Sequence, residues 1–290
     1  MRIADHWQDY ELLDCSNGER LERWDKLLLI RPDPQVIWRG EAQALPQWRG
    51  AHAHYHRSSS GGGQWRQLRP LPEQWRIRYG GLSFCCKLMG FKHTGLFPEQ
   101  AVNWALLQER IRAAKRPVKV LNLFAYTGGA TLACLEAGAA VTHVDASRGM
   151  VQRAKENALA SGLADRPVRW IVEDCVKFAQ REIRRGNTYD ILLLDPPSYG
   201  RGPNGEVWQL AAELDGFIAL CARLLGRDAL LLLLNTYSAE FSPAVSQYLL
   251  AKHLLPERGG GVTCDEIALP VTASGLALPC GSTAIWETGL

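Results

Sequence analysis

Two acids and a pair of prolines are the residues in this chain best suited to chemistry. Asp145 closes the apolar run Ala140-Val-Thr-His-Val144, and Asp195 closes Tyr189-Asp-Ile-Leu-Leu-Leu194 and is followed by Pro196, Pro197, Ser198 and Tyr199. A carboxylate at the carboxyl end of a buried strand sits where open α/β sheets bind ligands. Proline has no N–H and a fixed φ, so Asp-Pro-Pro after such a strand reads as a rigid corner whose carbonyls are not consumed by a helix or ladder. A carboxylate and a carbonyl fixed side by side accept from the N–H groups of an amine and hold its lone pair toward an electrophile. Tyr199 then offers a ring on which a base pulled out of its helix can stack. A single strand-end acid is more often a helix cap than a ligand, so the weight rests on the ordered set.

The elements that must position these groups are four strand-then-loop segments. Val118–Phe124 reads as a buried parallel strand running into Ala125-Tyr-Thr-Gly-Gly129, a tight turn that opens a helix. Val168–Val172 is a further strand and ends in Glu173-Asp174-Cys175. Asp145 stands seventeen positions after Gly128, close to where a dinucleotide-type fold puts the acid that accepts from ribose hydroxyls. The full G-x-G-x-x-G pattern that cradles a pyrophosphate is missing after the first strand. That absence suits S-adenosylmethionine, which has adenosine and an amino acid but no phosphate. Asp145 would take its ribose and Asp174 the adenine neighbourhood, and Phe124, Tyr126 or Phe97 could present rings to adenine or sulfonium. Beyond this block, helical spacing over 206–225 and 243–255 alternates with strands at 229–234, 261–269 and 282–287.

The first ninety residues differ in character. Lys26–Ile30 and Val36–Trp38 flank Arg31-Pro-Asp-Pro34 and predict a hairpin, as do Gln74–Tyr79 and Leu82–Cys86 about Gly80-Gly81. Six of the ten tryptophans fall here, which suggests a small β-rich module with its own core. Ser58–Gly63 reads as a flexible loop, and His52, His54 and His56 as strand histidines facing solvent rather than metal ligands. From Arg49 to Lys92 eight basic residues meet one acid, Glu73, a local balance of +7 in a chain whose net charge is +3. Arginines interleaved with Trp48, Trp65, Trp75 and Tyr79 are what a nucleic-acid surface uses. The eight cysteines lack C-x-x-C spacing and read as buried thiols, no apolar run is long enough to span a membrane, and the start lacks a secretory stretch, so the expected location is the cytoplasm.

Residues 92–208 resemble the class I S-adenosylmethionine-dependent methyltransferases, most closely the branch containing the ribosomal RNA large-subunit methyltransferases. The resemblance rests on His93-Thr-Gly-Leu-Phe-Pro-Glu-Gln100, Asn122-Leu-Phe-Ala-Tyr-Thr-Gly-Gly-Ala-Thr131, Val144-Asp-Ala-Ser147 with Ala154-Lys-Glu-Asn157, Glu173-Asp174-Cys175, and Asp195-Pro-Pro-Ser-Tyr-Gly-Arg201. It implies an α/β fold, a Rossmann-like seven-stranded class I methyltransferase sheet with a small β-rich N-terminal module, divided as 1–92 and 93–290. It implies methyl transfer from S-adenosylmethionine to an RNA base, ribosomal RNA being the expected partner. By position, Phe97 and Gln100 would close over the cofactor, and Phe124, Ala125, Thr127 and Gly128 would line its methionine half. Asp145, Ala146 and Ser147 would hold the ribose, Asp174 and Cys175 the adenine, and Asp195, Pro196, Pro197, Ser198 and Tyr199 the acceptor. Asn122 and Asn157 join the cofactor set through the same motifs. One departure matters. Members that methylate carbon 5 of cytosine use a cysteine after the fifth strand, and here that place reads Asn235-Thr-Tyr-Ser238. Direct attack by a substrate nitrogen or oxygen is the expectation. The open alternatives are a protein or small-molecule methyltransferase and a non-catalytic RNA-binding or nicotinamide-binding protein.

Overall fold

The computed structural model describes residues 1–40, 45–58, 62–202, 205–237 and 241–289; Ser238 and the centre of the Ser58–Gly63 loop lie outside them. The chain packs as two compact units, a larger one of Met1, Asn103–Glu266 and Gly281–Leu290 and a smaller one of Arg2–Val102 and Ile267–Cys280. This division falls at 102/103 rather than 92/93, and it places 267–280 with the N-terminal residues.

Seven strands of the main sheet are β1 (Lys119–Leu123), β2 (Ala140–Asp145), β3 (Val168–Val172), β4 (Ile191–Leu194), β5 (Leu231–Thr236), β6 (Gly261–Pro270) and β7 (Ala277–Glu287), residues 267–270 and 277–280 of the last two being counted with the smaller unit. Their spatial order is β6-β7-β5-β4-β1-β2-β3, the Rossmann-like sheet expected, and Arg2–Ile3, parallel to Ile267 and Ala268, makes the ladder eight strands. β1 to β5 pair in parallel and β7 runs antiparallel to β5. The helices are α1 (Ala101–Ala113), α2 (Gly129–Glu136), α3 (Arg148–Ala160), α4 (Cys175–Arg184), α5 (Leu210–Ala222) and α6 (Pro243–Arg258).

Parallel strands with helices on both faces must be apolar throughout, and β4 and β5 supply seven leucines and one isoleucine in four unbroken pairs, Ile191-Leu-Leu-Leu194 against Leu231-Leu-Leu-Leu234. Leu192, Leu194, Leu232 and Leu234 join Phe178, Phe217, Ile218, Leu250, Leu254 and Trp286 in one core cluster. Register then delivers the site. Leu123 pairs with both Val144 and Leu194, and Leu194 pairs with Leu234. The residues that follow, Phe124, Asp145, Asp195 and Asn235, therefore leave the sheet at one edge, about the point where strand order reverses.

In the smaller unit five strands, Tyr10–Ser16, Glu19–Trp24, Leu27–Pro32, Ala53–Arg57 and Gly63–Gln67, lie in that order, and Trp75–Tyr79 pairs with Leu82–Cys86 as expected about Gly80. The hairpin expected across Arg31-Pro-Asp-Pro34 does not form. Leu27–Pro32 has both edges occupied, by Glu19–Trp24 on one side and by Ala53 and His54 on the other. Val36 and Trp38 instead offer their carbonyls to Gly18 and Asn17, at 3.0 Å each. The histidines are less solvated than expected: His52 Nδ1 accepts from the Leu28 N–H at 3.0 Å, and His54 pairs with Glu19.

Candidate active site

The loop after β1 carries the most strained backbone of the larger unit. Phe124 and Tyr126 have φ of 56° and 50°, in the left-handed region that non-glycine residues avoid, and Gly128 has φ 87°. The surroundings hold it there. Phe124 N–H donates to Cys175 Sγ at 3.2 Å, Ala125 N–H to the Val144 carbonyl at 3.0 Å, and Asn157 Nδ2 to the Thr127 carbonyl at 2.9 Å. The two glycines have separate reasons. A Cβ on Gly128 would come within 3.0 Å of Ala154 Cβ, and one on Gly129 would lie 2.6 Å from the Trp104 ring. Backbone strain kept up by this many partners is a mark of functional loops.

Asp145, half-buried at the end of β2, grips the same loop. Its Oδ2 accepts from Tyr126 N–H at 2.9 Å and its Oδ1 from Ser147 N–H at 2.8 Å. Burial pushes its carboxyl above the usual range while these two bonds pull it back. Each carboxylate oxygen has a second lone pair, so the group can also accept from two vicinal hydroxyls. Ser147 caps α3 through Oγ to Met150 N–H at 3.4 Å, with Ala146 half-buried between the two. Asp174 caps α4, its Oδ1 accepting from Lys177 N–H at 2.9 Å, so one of its oxygens does the ordinary helix-capping task.

Other expected residues face inward. The Cys175 thiol lies in the core, pushed well above its usual pKa by burial. Phe124 packs its ring 5.1 Å from Trp208 and 5.6 Å from Phe217, centroid to centroid. Asn122 is buried and donates from Nδ2 to Thr131 Oγ1 at 2.9 Å, which in turn meets His143 Nδ1 at 2.9 Å. Phe97 and Gln100 belong to the smaller unit, where Gln100 N–H donates to the Phe97 carbonyl at 3.1 Å and the Phe97 ring lies 5.1 Å from that of His93.

At the end of β4 the Asp-Pro-Pro corner opens a short hairpin, Tyr199–Arg201 with Val207–Gln209, where the sequence pattern predicts helix from 206. The corner's carbonyls are partly consumed, contrary to expectation. Pro197 accepts from Trp208 Nε1 at 2.7 Å, and Ser198 from Leu210 N–H at 3.0 Å. Pro197, Ser198 and Tyr199 are exposed and Pro196 is buried. Asp195 Oδ1 accepts from Asn235 Nδ2 at 3.0 Å, a partner on β5 that sequence reasoning noted only for not being cysteine. Trp208, which fixes the corner, was likewise missed.

A strained glycine-ended loop with bare backbone, beside a strand-end carboxylate able to take two hydroxyls and with no phosphate cradle, fits a nucleoside carrying an amino acid tail. These features define a class I methyltransferase. The family model for S-adenosylmethionine-dependent methyltransferases matches residues 35–211, more than half of the chain, and the chain belongs to that family. Its cofactor is S-adenosylmethionine.

Solved relatives agree. The SAM-dependent methyltransferase from Agrobacterium tumefaciens is 39% identical, over 99% of this chain and 93% of that one, with a TM-score of 0.92. The methyltransferase SMU.776, complexed with SAH, is 20% identical over 97% of this chain and 76% of that one at a TM-score of 0.72, a likeness of fold. Ribosomal RNA large subunit methyltransferase K/L of Syntrophotalea carbinolica is 30% identical over 183 residues, 62% of this chain and 25% of that protein. The chain thus spans about a quarter of the length of that curated relative.

Proposed function

We propose that the chain methylates an exocyclic amine of a base in RNA, ribosomal RNA being the substrate class, without a cysteine nucleophile. The observation that carries this reading is the Asp195-Pro196 corner beside the cofactor loop. The relatives named as ribosomal RNA methyltransferases support the choice of RNA.

S-adenosylmethionine, when bound, supplies a methyl group already activated by its sulfonium. The chain's residues then have to hold and orient. In this reading Asp145 accepts from the ribose hydroxyls, the Ala125–Gly128 backbone lines the methionine half, and Asp174 and the start of α4 adjoin the adenine. The Asp195 carboxylate and the Pro196 carbonyl accept from the two N–H groups of the amine, so its lone pair points at the methyl carbon. Orientation of that kind lowers a barrier by several kcal/mol, on the order of 7 or more in the best intramolecular cases. Tyr199, 53% exposed on the hairpin, gives a ring face to the base. Burial pushes the Cys134, Cys175 and Cys221 thiols up, which keeps them protonated and poor nucleophiles.

In the N-terminal region Arg49, Arg57, Arg66, Arg69, Arg76 and Arg78 are all exposed. On Trp75–Tyr79 the arginines alternate outward while Trp75 and Ile77 point into the core. This is the surface proposed to contact phosphates. Among the described residues no helix is long and apolar enough to cross a membrane.

The test is tritium transfer from labelled S-adenosylmethionine into RNA from cells lacking this protein, followed by nucleoside analysis. A label on an exocyclic amine that disappears with Asp195→Ala supports the reading. RNase-resistant label would move the acceptor to protein or a small molecule, and a covalent adduct with a 5-fluoropyrimidine RNA would restore a cysteine mechanism.

A further inference from the structure

A buried polar chain stands behind Asp195. Asn103 Nδ2, on α1, donates to Thr283 Oγ1 on β7 at 3.0 Å. Thr283 Oγ1 donates to Asn235 Oδ1 at 2.8 Å, and Asn235 Nδ2 donates to Asp195 Oδ1 at 3.0 Å. Asn103, Thr283 and Asn235 are each no more than 1% exposed, and the two bonds among them are buried. An asparagine amide is chemically two-ended, and either end fits the same space. The Asp195 carboxylate can only accept, so Asn235 faces it with NH2 and turns its oxygen to Thr283, whose single hydrogen meets that oxygen while its own oxygen accepts from Asn103.

We propose that Thr283 and Asn103 act as positioning residues that lock the Asn235 amide so that its NH2 always faces Asp195, fixing the carboxylate plane for the methyl acceptor. The inference rests on the reading of Asp195 as the acceptor-holding group. Uninterrupted networks of this kind in a low-dielectric interior are worth more than their separate bonds and are rigid. One helix and two strands far apart in the chain converge on one side-chain torsion, that of Asp195.

Two arms test it. In the first, protein labelled with 15N-asparagine is followed by NMR, the Asn235 side-chain signal being identified by its loss in Asn235→Asp. That NH2 should be protected from solvent exchange, shift in Asp195→Asn, and exchange at least about tenfold faster in Thr283→Val but not in Thr283→Ser, since one hydrogen bond of this type is worth about one decade. Exchange unaltered by Thr283→Val overturns the relay.

In the second arm, methyl transfer to RNA is measured with cofactor affinity by calorimetry. Thr283→Val should lower kcat about tenfold or more with cofactor affinity unchanged, and Thr283→Ser should restore it. If Thr283→Val does not fold, Asn235→Asp decides through pH. Two adjacent carboxylates share a proton, so this variant should gain activity as pH falls, when the shared proton replaces the lost N–H donor, a limb absent from the wild type. A wild-type pH profile, or equal damage from Val and Ser at 283, overturns the proposal. If the wild type labels no RNA, the RNA reading fails while the exchange arm still decides the relay.

Discussion

Glu22 of the smaller unit and two half-buried acids of the larger, Asp145 and Asp195, are treated in opposite ways. In the smaller unit Glu22, wholly buried, receives Arg31 Nε at 2.5 Å and Nη2 at 2.7 Å and the Tyr10 hydroxyl at 2.8 Å, with Arg20 Nε 3.4 Å away. Burial alone would raise its carboxyl, but Arg20, Arg31 and Tyr10 overcome that and bring it to about 2. In the larger unit Asp145 is held by two backbone N–H groups and Asp195 by an asparagine amide. The first acid is neutralised by cations and saturated. The others are oriented by uncharged donors that fix geometry without cancelling charge. A carboxylate that stabilises a fold and one that binds a ligand are distinguished by what surrounds them more than by how deep they lie.

The contrast can be broken hardest at Glu22. Glu22→Ala leaves Arg31 buried without its acid and Arg20 with Asp33 alone at 3.5 Å, and should cost about 3–5 kcal/mol, seen as a lowered denaturant midpoint of the smaller unit. Acid gives the next effect. Glu22, depressed from 4.5 to about 2, contributes stability above pH 4.5 that is lost as pH falls through 2. His93 and His143, lowered from 6.5 to about 3 with burial as the leading cause, add to this. Below pH 6.5 the unfolded chain takes up protons that the native histidines refuse until about 3. Stability should therefore fall with pH by about 1.4 kcal/mol per pH unit for each histidine across that window. Denaturant titrations from pH 7 to 3 check the slope, and His143→Gln should flatten it for the larger unit.

At the ligand-type acids the main effect should be on binding. Asp145→Ala should weaken S-adenosylmethionine binding at least about tenfold by calorimetry, because charge-assisted bonds are worth about 1.5–3 kcal/mol each, with the fold intact. An unchanged affinity would remove Asp145 from the cofactor site. The smallest effect concerns the outer arginines. Reversing Arg66, Arg69, Arg76 and Arg78 should lower the log–log salt slope of RNA affinity by roughly 0.7–0.9 per lost phosphate contact and leave cofactor affinity alone. A slope equal to the wild type would make them an ordinary solvated face.

Much of the larger unit was legible because its signals are local. Leucine-rich strands ending in acids are read within ten residues, and Val168–Val172 has the same limits in sequence and structure. Asp174 shows the limit of that logic, since a cap and a ligand look alike in sequence. Some signals were present and unread. Asn17-Gly18, with φ of 54° and 83°, turns Tyr10–Ser16 into Glu19–Trp24, the strongest short hairpin signature in the chain. Gly202 and Gly205 likewise mark the hairpin after Tyr199. The support of Asp195 was not legible at all. It joins residues 103, 235 and 283, and nothing local in sequence declares that an asparagine ending a leucine strand will meet a threonine 48 residues later.

The placement of 267–280 bears on how the protein is made. Ile267 and Ala268 pair with Arg2 and Ile3, and Thr272 and Ala273 donate their N–H groups to the Leu12 and Leu13 carbonyls at 3.0 and 2.9 Å. These strands thus wait for partners synthesised about 260 residues later, a delay of roughly 13–50 s at 5–20 residues per second. Through that interval the Leu12 edge is an open ladder, and closing it carries the loop entropy that makes long-range pairing slow. The smaller unit thus cannot close until 267–280, made after most of the larger unit, have been synthesised.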